Sequence, residues 1–166
     1  MFTIREYNEK DAETIVSWIS DERMLRQWSA DKYESFPITA DDMNAFYAEI
    51  RENGGKPYSF YEDDKLIGHF VLRMLKDEKI DTLRIGFIIV DNSVRGKGYG
   101  SKMLSAAIPF GFKEYSAQRI TLGVFENNPK ARKCYESVGF TQWGETECLI
   151  NGEPWKCAEM EIFRNT

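Results

Sequence analysis

The most constraining feature of this chain is a glycine-rich turn, Val94-Arg95-Gly96-Lys97-Gly98-Tyr99-Gly100, which follows the most apolar run of the sequence, Phe87-Ile88-Ile89-Val90. An apolar run before such a turn and an amphipathic segment after it predict a strand, a tight turn and a helix. Glycine lets the backbone adopt positive φ and approach a ligand closely, and the first N–H groups of a helix lack intrahelical partners. The turn is therefore predicted to bind an anion, most simply a phosphate group.

Charge is distributed unevenly along the chain. The formal net charge is −5, yet residues 95 to 133 carry eight basic side chains against two acidic ones, so this segment is +6 and the remainder is −11. A basic segment around a predicted phosphate site indicates a polyanionic small ligand. The acidic remainder argues against a nucleic-acid partner and leaves room for a cationic second substrate. The basic residues are Arg95, Lys97, Lys102, Lys113, Arg119, Lys130, Arg132 and Lys133.

Length and local composition limit the class of protein. The 166 residues predict one domain, spanning residues 1–166. Charged residues occupy the N-terminal region where a signal peptide would be apolar, and every apolar run is shorter than the ~18 residues that span a membrane. We therefore expect a cytoplasmic protein without a membrane partner. Cys134, Cys148 and Cys157 are odd in number and lack metal-ligand spacing, which favours reduced, structural thiols and no metal site.

Hydrophobic periodicity and turn residues predict the element order β-α-α-β-β-β-α-β-α-β-β. The segment from Thr39 to Asp42 predicts the cap of the second helix, and Asn151-Gly152 predicts the turn of a final hairpin. Residues 20 to 39 are expected to be irregular, and Pro109 with Gly111 is expected to kink or briefly break the helix after the glycine turn. The order predicts an α/β fold, α+β in some schemes, with a mixed and largely antiparallel sheet of about seven strands and helices on both faces.

The spacing of the glycines excludes two common phosphate-binding loops. A dinucleotide fingerprint requires a further glycine at position 101, where this chain has Ser101. A Walker loop requires four residues between its glycines and then lysine followed by serine or threonine, which this turn also lacks. A second motif comes later in the chain and reads Asn128-x-x-Ala131-x-x-x-Tyr135-Glu136-x-x-Gly139-Phe140.

Together, this second motif and the glycine turn resemble those of the GNAT superfamily of acetyl-CoA-dependent N-acetyltransferases. The first motif reads Val90-x-x-x-x-Arg95-Gly96-x-Gly98-x-Gly100, and the two motifs occur in the order typical of that superfamily. The resemblance implies the GNAT fold, acetyl-CoA as the cosubstrate, and acetyl transfer to an amine of a small molecule or a peptide N-terminus. It further implies direct attack in a ternary complex and a monomer or homodimer. The alternative is a non-catalytic CoA-binding sensor or interaction module with the same fold.

The resemblance also implies roles for individual residues. Backbone N–H groups of the glycine turn would hold the CoA pyrophosphate, with the side chains of Arg95 and Lys97 as charge partners. The strand before the turn would pair its backbone with the pantetheine arm. Asn128 would bond that arm or serve only as a helix cap, and Tyr135 would protonate the departing thiolate as the general acid. The implied cofactor-binding residues are Ile88, Ile89, Val90, Arg95, Gly96, Lys97, Gly98, Tyr99, Gly100 and Asn128.

The sequence leaves the general base open. Some relatives of this kind carry a glutamate five residues before the asparagine, where this chain has Gly123. Glu78, Asp81 and Glu126 are alternatives because they lie close in sequence to the predicted cleft strands. The single histidine, His69, lies on an alternating strand and is expected to be structural.

The resemblance also implies that the acceptor binds between residues 20 to 40 and the last hairpin, where aromatic and acidic side chains together suit a cationic amine. The pattern from Trp18 to Trp28 is similar to the branch of the superfamily that acetylates ribosomal-protein N-termini, but polyamines or aminoglycosides suit the same features. The side chains expected to line this site are Trp28, Tyr33, Phe36, Glu145, Glu147 and Glu153.

Overall fold

The computed structural model describes residues 1–76 and 78–165, and its strands form a seven-stranded sheet. The strands are β1 (Phe2–Glu6), β2 (Gly55–Glu62), β3 (Lys65–Met74), β4 (Thr82–Val90), β5 (Arg119–Phe125), β6 (Thr141–Ile150) and β7 (Glu153–Phe163). Their order in the sheet is β1-β2-β3-β4-β5-β7-β6. The β4–β5 pair is parallel and the other neighbouring pairs are antiparallel. The predicted mixed and largely antiparallel sheet is confirmed.

Helices cover both faces of this sheet, as predicted. They are α1 (Ala12–Ser17), α2 (Glu22–Ser29), α3 (Ala40–Glu52), α4 (Tyr99–Tyr115) and α5 (Pro129–Ser137), with a short 3₁₀ turn at Glu9–Asp11. One hydrophobic core packs α4 and α5 against the sheet and contains Phe60, Phe70, Leu72, Met103 and Leu104. A second core packs α1, α2 and α3 against the opposite face and includes Val71 and Ile89. The two layers fix the strand ends at which the glycine turn lies.

The prediction that residues 20 to 39 are irregular is wrong for Glu22–Ser29, which form α2, and is confirmed for residues 30 to 39, which form neither helix nor strand. The side chain of Asp21 caps this helix by accepting a hydrogen bond from the backbone N–H of Met24 at 2.8 Å. Leu25 is buried among residues of α1 and α3. An aspartate cap and one buried leucine were the available signals, and they are weak in a segment that is otherwise mostly charged and polar.

Of the kink or brief break predicted at Pro109, the break is wrong, because α4 is continuous from Tyr99 to Tyr115. Proline removes the hydrogen bond to the carbonyl four residues earlier, which belongs to Ser105. Both residues lie on the exposed face of the helix, where water can satisfy that carbonyl. Gly111 has a packing role instead, because a Cβ atom there would lie 2.7 Å from Cδ2 of Leu83.

Two local signals in the sequence are confirmed at the ends of elements. Thr39 and Asp42 form a reciprocal capping box at the start of α3. Asn151 and Gly152 connect β6 to β7 with φ values of 50° and 81°, the left-handed pair that a two-residue hairpin turn requires. Among the described residues, every helix is too short or too polar to cross a membrane.

His69 is fully buried and pairs through its Nε2 atom with the hydroxyl of Tyr47 at 2.6 Å. It lies outside the lining of the cavity described below, as expected of a structural residue. Burial lowers its pKa to about 3, so the folded protein holds this imidazole neutral.

Stability is therefore expected to fall as the solution is acidified below pH 7. The unfolded chain binds a proton near pH 6.5 and the folded chain near pH 3, so protonation favours unfolding throughout that window. From pH 7 to pH 5 this contributes a loss of about 2 kcal/mol in the free energy of unfolding. Urea titrations of the wild type and of His69→Gln, which keeps a polar group but does not titrate, measure the difference. Equal pH slopes for the two proteins would contradict the assignment.

Candidate active site

Strands β4 and β5 separate to open a large cavity. Their parallel pairing is limited to three residue pairs and ends at Arg84 opposite Thr121. On the other side of β4 the register with β3 shifts by one residue, and Phe87 at the shift has a φ of 52°. A bulge of this kind bends its strand. The resulting cavity has a volume of about 1030 Å³ and is lined by residues of both strands.

The glycine turn forms one end of this cavity. Gly96 and Gly98 have φ values of 79° and 80°, and a Cβ atom on either would meet no described atom within 4 Å. Glycine is therefore needed here for the left-handed backbone and for the space above it. The N–H of Lys102 donates the first helical bond of α4 to Gly98 at 3.1 Å, so the N–H groups from Tyr99 to Ser101 are left for an anion. Gly96, Gly98, Tyr99 and Gly100 all line the cavity.

Arg95 and Lys97, the predicted charge partners of the phosphates, have different surroundings in the structure. The guanidinium of Arg95 is half-buried and donates to the carbonyls of Val90 and Trp18, both at 3.1 Å, which ties the turn to the end of α1. Lys97 is exposed and lies outside the cavity lining. Its backbone N–H donates a hydrogen bond to the carbonyl of Val94 at 3.3 Å. Arg95 therefore lines the cavity with its guanidinium bonded to backbone carbonyls, Lys97 lies outside the lining, and their roles as charge partners of the pyrophosphate stay a prediction.

Helix α5 contributes two lysines, Lys130 and Lys133, to the cavity lining near the turn. Helix α5 approaches the start of α4 at Cys134, whose Sγ lies 3.6 Å from Oγ of Ser101. Lys113 and Arg119, which the charge pattern grouped with them, lie outside the lining. Of the eight basic residues in this segment of the sequence, Arg95, Lys130 and Lys133 therefore line the cavity and the other five lie outside it.

The remaining predicted cofactor residues line the cavity. Ile88, Ile89 and Val90 form its wall beyond the point at which β4 stops pairing with β5, so the backbone groups on that side of β4 are free of a strand partner. Asn128 also lines the cavity, and its Oδ1 accepts from the N–H of Ala131 at 3.4 Å. Asn128 is therefore a helix cap that also faces the cavity.

Tyr135 lies on α5 and lines the same cavity, although only 7% of its surface is exposed. Its ring packs edge-on against Phe140. Burial raises the pKa of its phenol, so the hydroxyl stays protonated at neutral pH. The hydroxyl makes no hydrogen bond to any described residue, which leaves its proton available to a group in the cavity.

Glu159 on β7 is the site carboxylate that sequence reasoning missed. It is 6% exposed, lines the cavity and is the register partner of Gly123. A Cβ atom on Gly123 would lie 3.2 Å from Oε2 of Glu159 and 2.9 Å from a guanidinium nitrogen of Arg84. The space that a side chain at position 123 would need is therefore filled from the neighbouring strands. The pairing of Gly123 with a distant strand residue had no local sequence signal.

The carboxylate of Glu159 is held ionised by its neighbours. Nη1 of Arg84 donates to Oε1 at 2.7 Å, and Oγ1 of Thr146 donates to Oε2 at 2.9 Å. Burial raises the pKa of Glu159, but the hydrogen bond and charge of Arg84, with the bonds from Thr146 and Cys157, outweigh it and lower the pKa overall. Arg84 and Glu159 thus present one cation and one anion side by side in the cavity.

Only one of the residues predicted to bind the acceptor lines the cavity. Trp28 lines the cavity, whereas Tyr33 and Phe36 do not. The predicted acidic residues of the hairpin, Glu145, Glu147 and Glu153, are exposed and lie outside the lining, because Thr146 and Cys148 occupy the positions of β6 that face the cavity. The proposed bases Glu78, Asp81 and Glu126 are likewise exposed and outside it.

A family model described as the Acetyltransferase (GNAT) family matches residues 22–140. The chain belongs to the GNAT family. This confirms the resemblance drawn from the glycine turn and from the motif that contains Tyr135. Both motifs lie within the matched residues.

Several GNAT relatives are named as polyamine acetyltransferases. The spermine/spermidine N(1)-acetyltransferase of Bacillus subtilis is 33% identical over 102 residues, which are 59% of this chain and 66% of the relative. The spermidine N(1)-acetyltransferase of Vibrio cholerae is 26% identical over 167 residues, covering 98% of this chain and 93% of the relative. The chain thus spans slightly less than two thirds of the length of the Bacillus relative.

A solved structure has the same fold. The spermidine N-acetyltransferase from Vibrio cholerae, crystallised with CoA and spermine, superimposes with a TM-score of 0.78 at 22% identity and covers 98% of this chain and 95% of that one. The superposition confirms the predicted GNAT fold.

Proposed function

We propose that this protein transfers the acetyl group of acetyl-CoA to the amine of a small molecule or a peptide N-terminus, by direct attack in a ternary complex. The observation that carries the proposal is a single cavity with a glycine phosphate cradle at one end and the protonated hydroxyl of Tyr135 in its wall. Membership of the GNAT family supports the same reaction.

The residues present fit CoA in three ways. Free N–H groups at the start of α4 suit the pyrophosphate, and the positive φ values of Gly96 and Gly98 leave open space above the turn. Lys130 and Lys133 supply positive charge from α5. The unpaired backbone of β4 from Ile88 to Val90 suits an extended pantetheine arm, which would bind as an added strand.

The chemistry requires one bond to form and one to break. Glu159 holds the incoming ammonium by charge, and because its pKa is lowered it stores a proton poorly, so the ammonium loses its first proton to water. The neutral amine attacks the thioester carbonyl carbon, the C–N bond forms, the C–S bond breaks and the nitrogen loses a second proton to water. Tyr135 donates its proton to the departing sulfur, which leaves as the CoA thiol, and the tyrosinate regains a proton from water.

Direct attack predicts that Cys157, one of three cysteines in the cavity lining, is dispensable. Cys157 lines the cavity, but burial and the charge of Glu159 raise the pKa of its thiol to about 11, so it is not a thiolate at neutral pH. Cys157→Ala is therefore expected to keep kcat within about threefold of the wild type and to show no acetylated protein in mass spectra. Loss of turnover in this variant together with an acetylated wild-type thiol would indicate transfer through the enzyme.

The proposal is tested by thiol release from acetyl-CoA with a panel of amino acids, polyamines, aminoglycosides and peptides with free N-termini. Release that depends on one class of amine, with the acetylated amine identified by mass spectrometry, supports it. Tight binding of acetyl-CoA without amine-dependent thiol release would overturn it and would favour a non-catalytic CoA-binding module.

A further inference from the structure

The cavity lining contains two arginines that lie opposite each other on neighbouring strands. Arg73 on β3 is the register partner of Arg84 on β4, and both line the cavity. Directly opposed residues on one sheet face have Cβ atoms about 5 Å apart, and like charges in that position destabilise the pair. Such a pair is stabilised when an anion lies between or beside the two side chains.

Only one of these arginines has an anionic partner among the described residues. Arg84 donates Nη1 to Glu159 at 2.7 Å, while its Nη2 lies over Gly123, 2.9 Å from where a Cβ would be. Arg73 is exposed, and its guanidinium forms no ion pair or hydrogen bond with the part of the chain that the structure describes. Its five N–H donors therefore face solvent and the cavity.

The lining as a whole is basic. Within the described residues, seven basic and two acidic side chains line the cavity. Arg95 belongs to the glycine turn and Lys130 and Lys133 to α5, while Arg23, Lys32, Arg73 and Arg84 come from α2, the segment after it, β3 and β4. The two acids are Asp21, which caps α2, and Glu159, which pairs with Arg84.

We infer that the acceptor is an amine that carries an anionic group, a carboxylate or a phosphate, a few bonds from the amine. The inference rests on the proposed function. Glu159 would hold the ammonium, and Arg73 with the free Nη2 of Arg84 would hold the anionic group. Because Arg84 and Glu159 touch, the two groups of the acceptor lie close together. A polyamine has no group for the arginines and would add cations to a cavity that already carries an excess of them.

Matched acceptors test the charge requirement directly. We expect kcat/KM to be at least about tenfold higher for the best α-amino acid than for its carboxamide, or for phosphoethanolamine than for ethanolamine. The amino-acid pair tests a carboxylate and the ethanolamine pair tests a phosphate. Spermidine is expected to be poorer than the better anionic acceptor. Equal or faster turnover of spermidine, or of the uncharged member of both pairs, would overturn the inference.

The charge reversal Arg73→Glu tests the residue. We expect KM for the anionic acceptor to rise at least about tenfold with a smaller change in kcat, and spermidine to become a better acceptor. Lys113→Glu is the matched control, because it makes the same charge change on an exposed part of α4 outside the cavity lining. An unchanged KM in Arg73→Glu, or an equal rise in Lys113→Glu, would contradict the assignment.

Failure of the inference is distinguishable from failure of the proposed function. Amine-dependent thiol release that favours polyamines, aminoglycosides or peptide amides overturns only the acceptor class. Binding of acetyl-CoA without thiol release to any of these amines overturns the proposed acetyl transfer, and the acceptor class with it.

Discussion

Replacing Tyr135 by phenylalanine is expected to lower kcat by about 10²- to 10⁴-fold, the usual contribution of a positioned acid, while KM for acetyl-CoA stays within about threefold. The substitution removes only the hydroxyl, and the ring can keep its contact with Phe140. Steady-state kinetics with the best acceptor of the panel measure both constants, and a thermal melt checks that the core is intact.

Tyr115→Phe provides the matched control. Its hydroxyl bonds to that of Tyr58 at 2.7 Å at the far end of α4 and lies outside the cavity lining. This variant is expected to keep the wild-type kcat. An unchanged kcat in Tyr135→Phe would show that Tyr135 only packs in the core.

Replacing Gly98 by aspartate is expected to weaken CoA binding by at least about 100-fold, measured by calorimetry. The carboxylate would lie beside the pyrophosphate, where two like charges about 4 Å apart repel by several kcal/mol. An aspartate would also have to adopt the φ of 80° that Gly98 has, at a cost of about 1 kcal/mol.

Two further variants separate charge from backbone strain. Gly98→Asn tolerates the same left-handed backbone without the charge, so it is expected to bind CoA far better than Gly98→Asp. Gly54→Asp introduces the charge at a φ of 87° outside the cavity lining, and its CoA affinity should equal that of the wild type. Retained affinity in Gly98→Asp would show that the phosphates bind elsewhere.

Structural features that depend on a few adjacent residues could be predicted from the sequence. The cradle depends on glycines at fixed positions, and the structure gives Gly96 and Gly98 the positive φ that only glycine adopts easily. The same holds for the Thr39 capping box and for the hairpin turn at Asn151. In each case the backbone conformation follows from residues within one turn of chain.

Features that depend on strand register could not be predicted. Glu159 is 75 residues from Arg84 in sequence, and the two meet only because β4, β5 and β7 are neighbours in the sheet, while Arg73 lies opposite Arg84 because of the β3–β4 register. The direction of the Arg95 side chain could not be predicted either, because its guanidinium bonds to the carbonyls of Val90 and Trp18. The acidic residues of the hairpin were assigned to the wrong face because alternation alone does not say which face of β6 meets the cavity.

The most direct test of the account is a single-turnover experiment with radiolabelled acetyl-CoA, excess enzyme and the best acceptor. The label is expected to appear on the amine at the same rate as CoA thiol is released, with none on the protein at any time, and both rates should fall together in Tyr135→Phe. Label on the protein before the amine, or bound acetyl-CoA that never passes its acetyl group to an amine, would contradict direct transfer within this cavity.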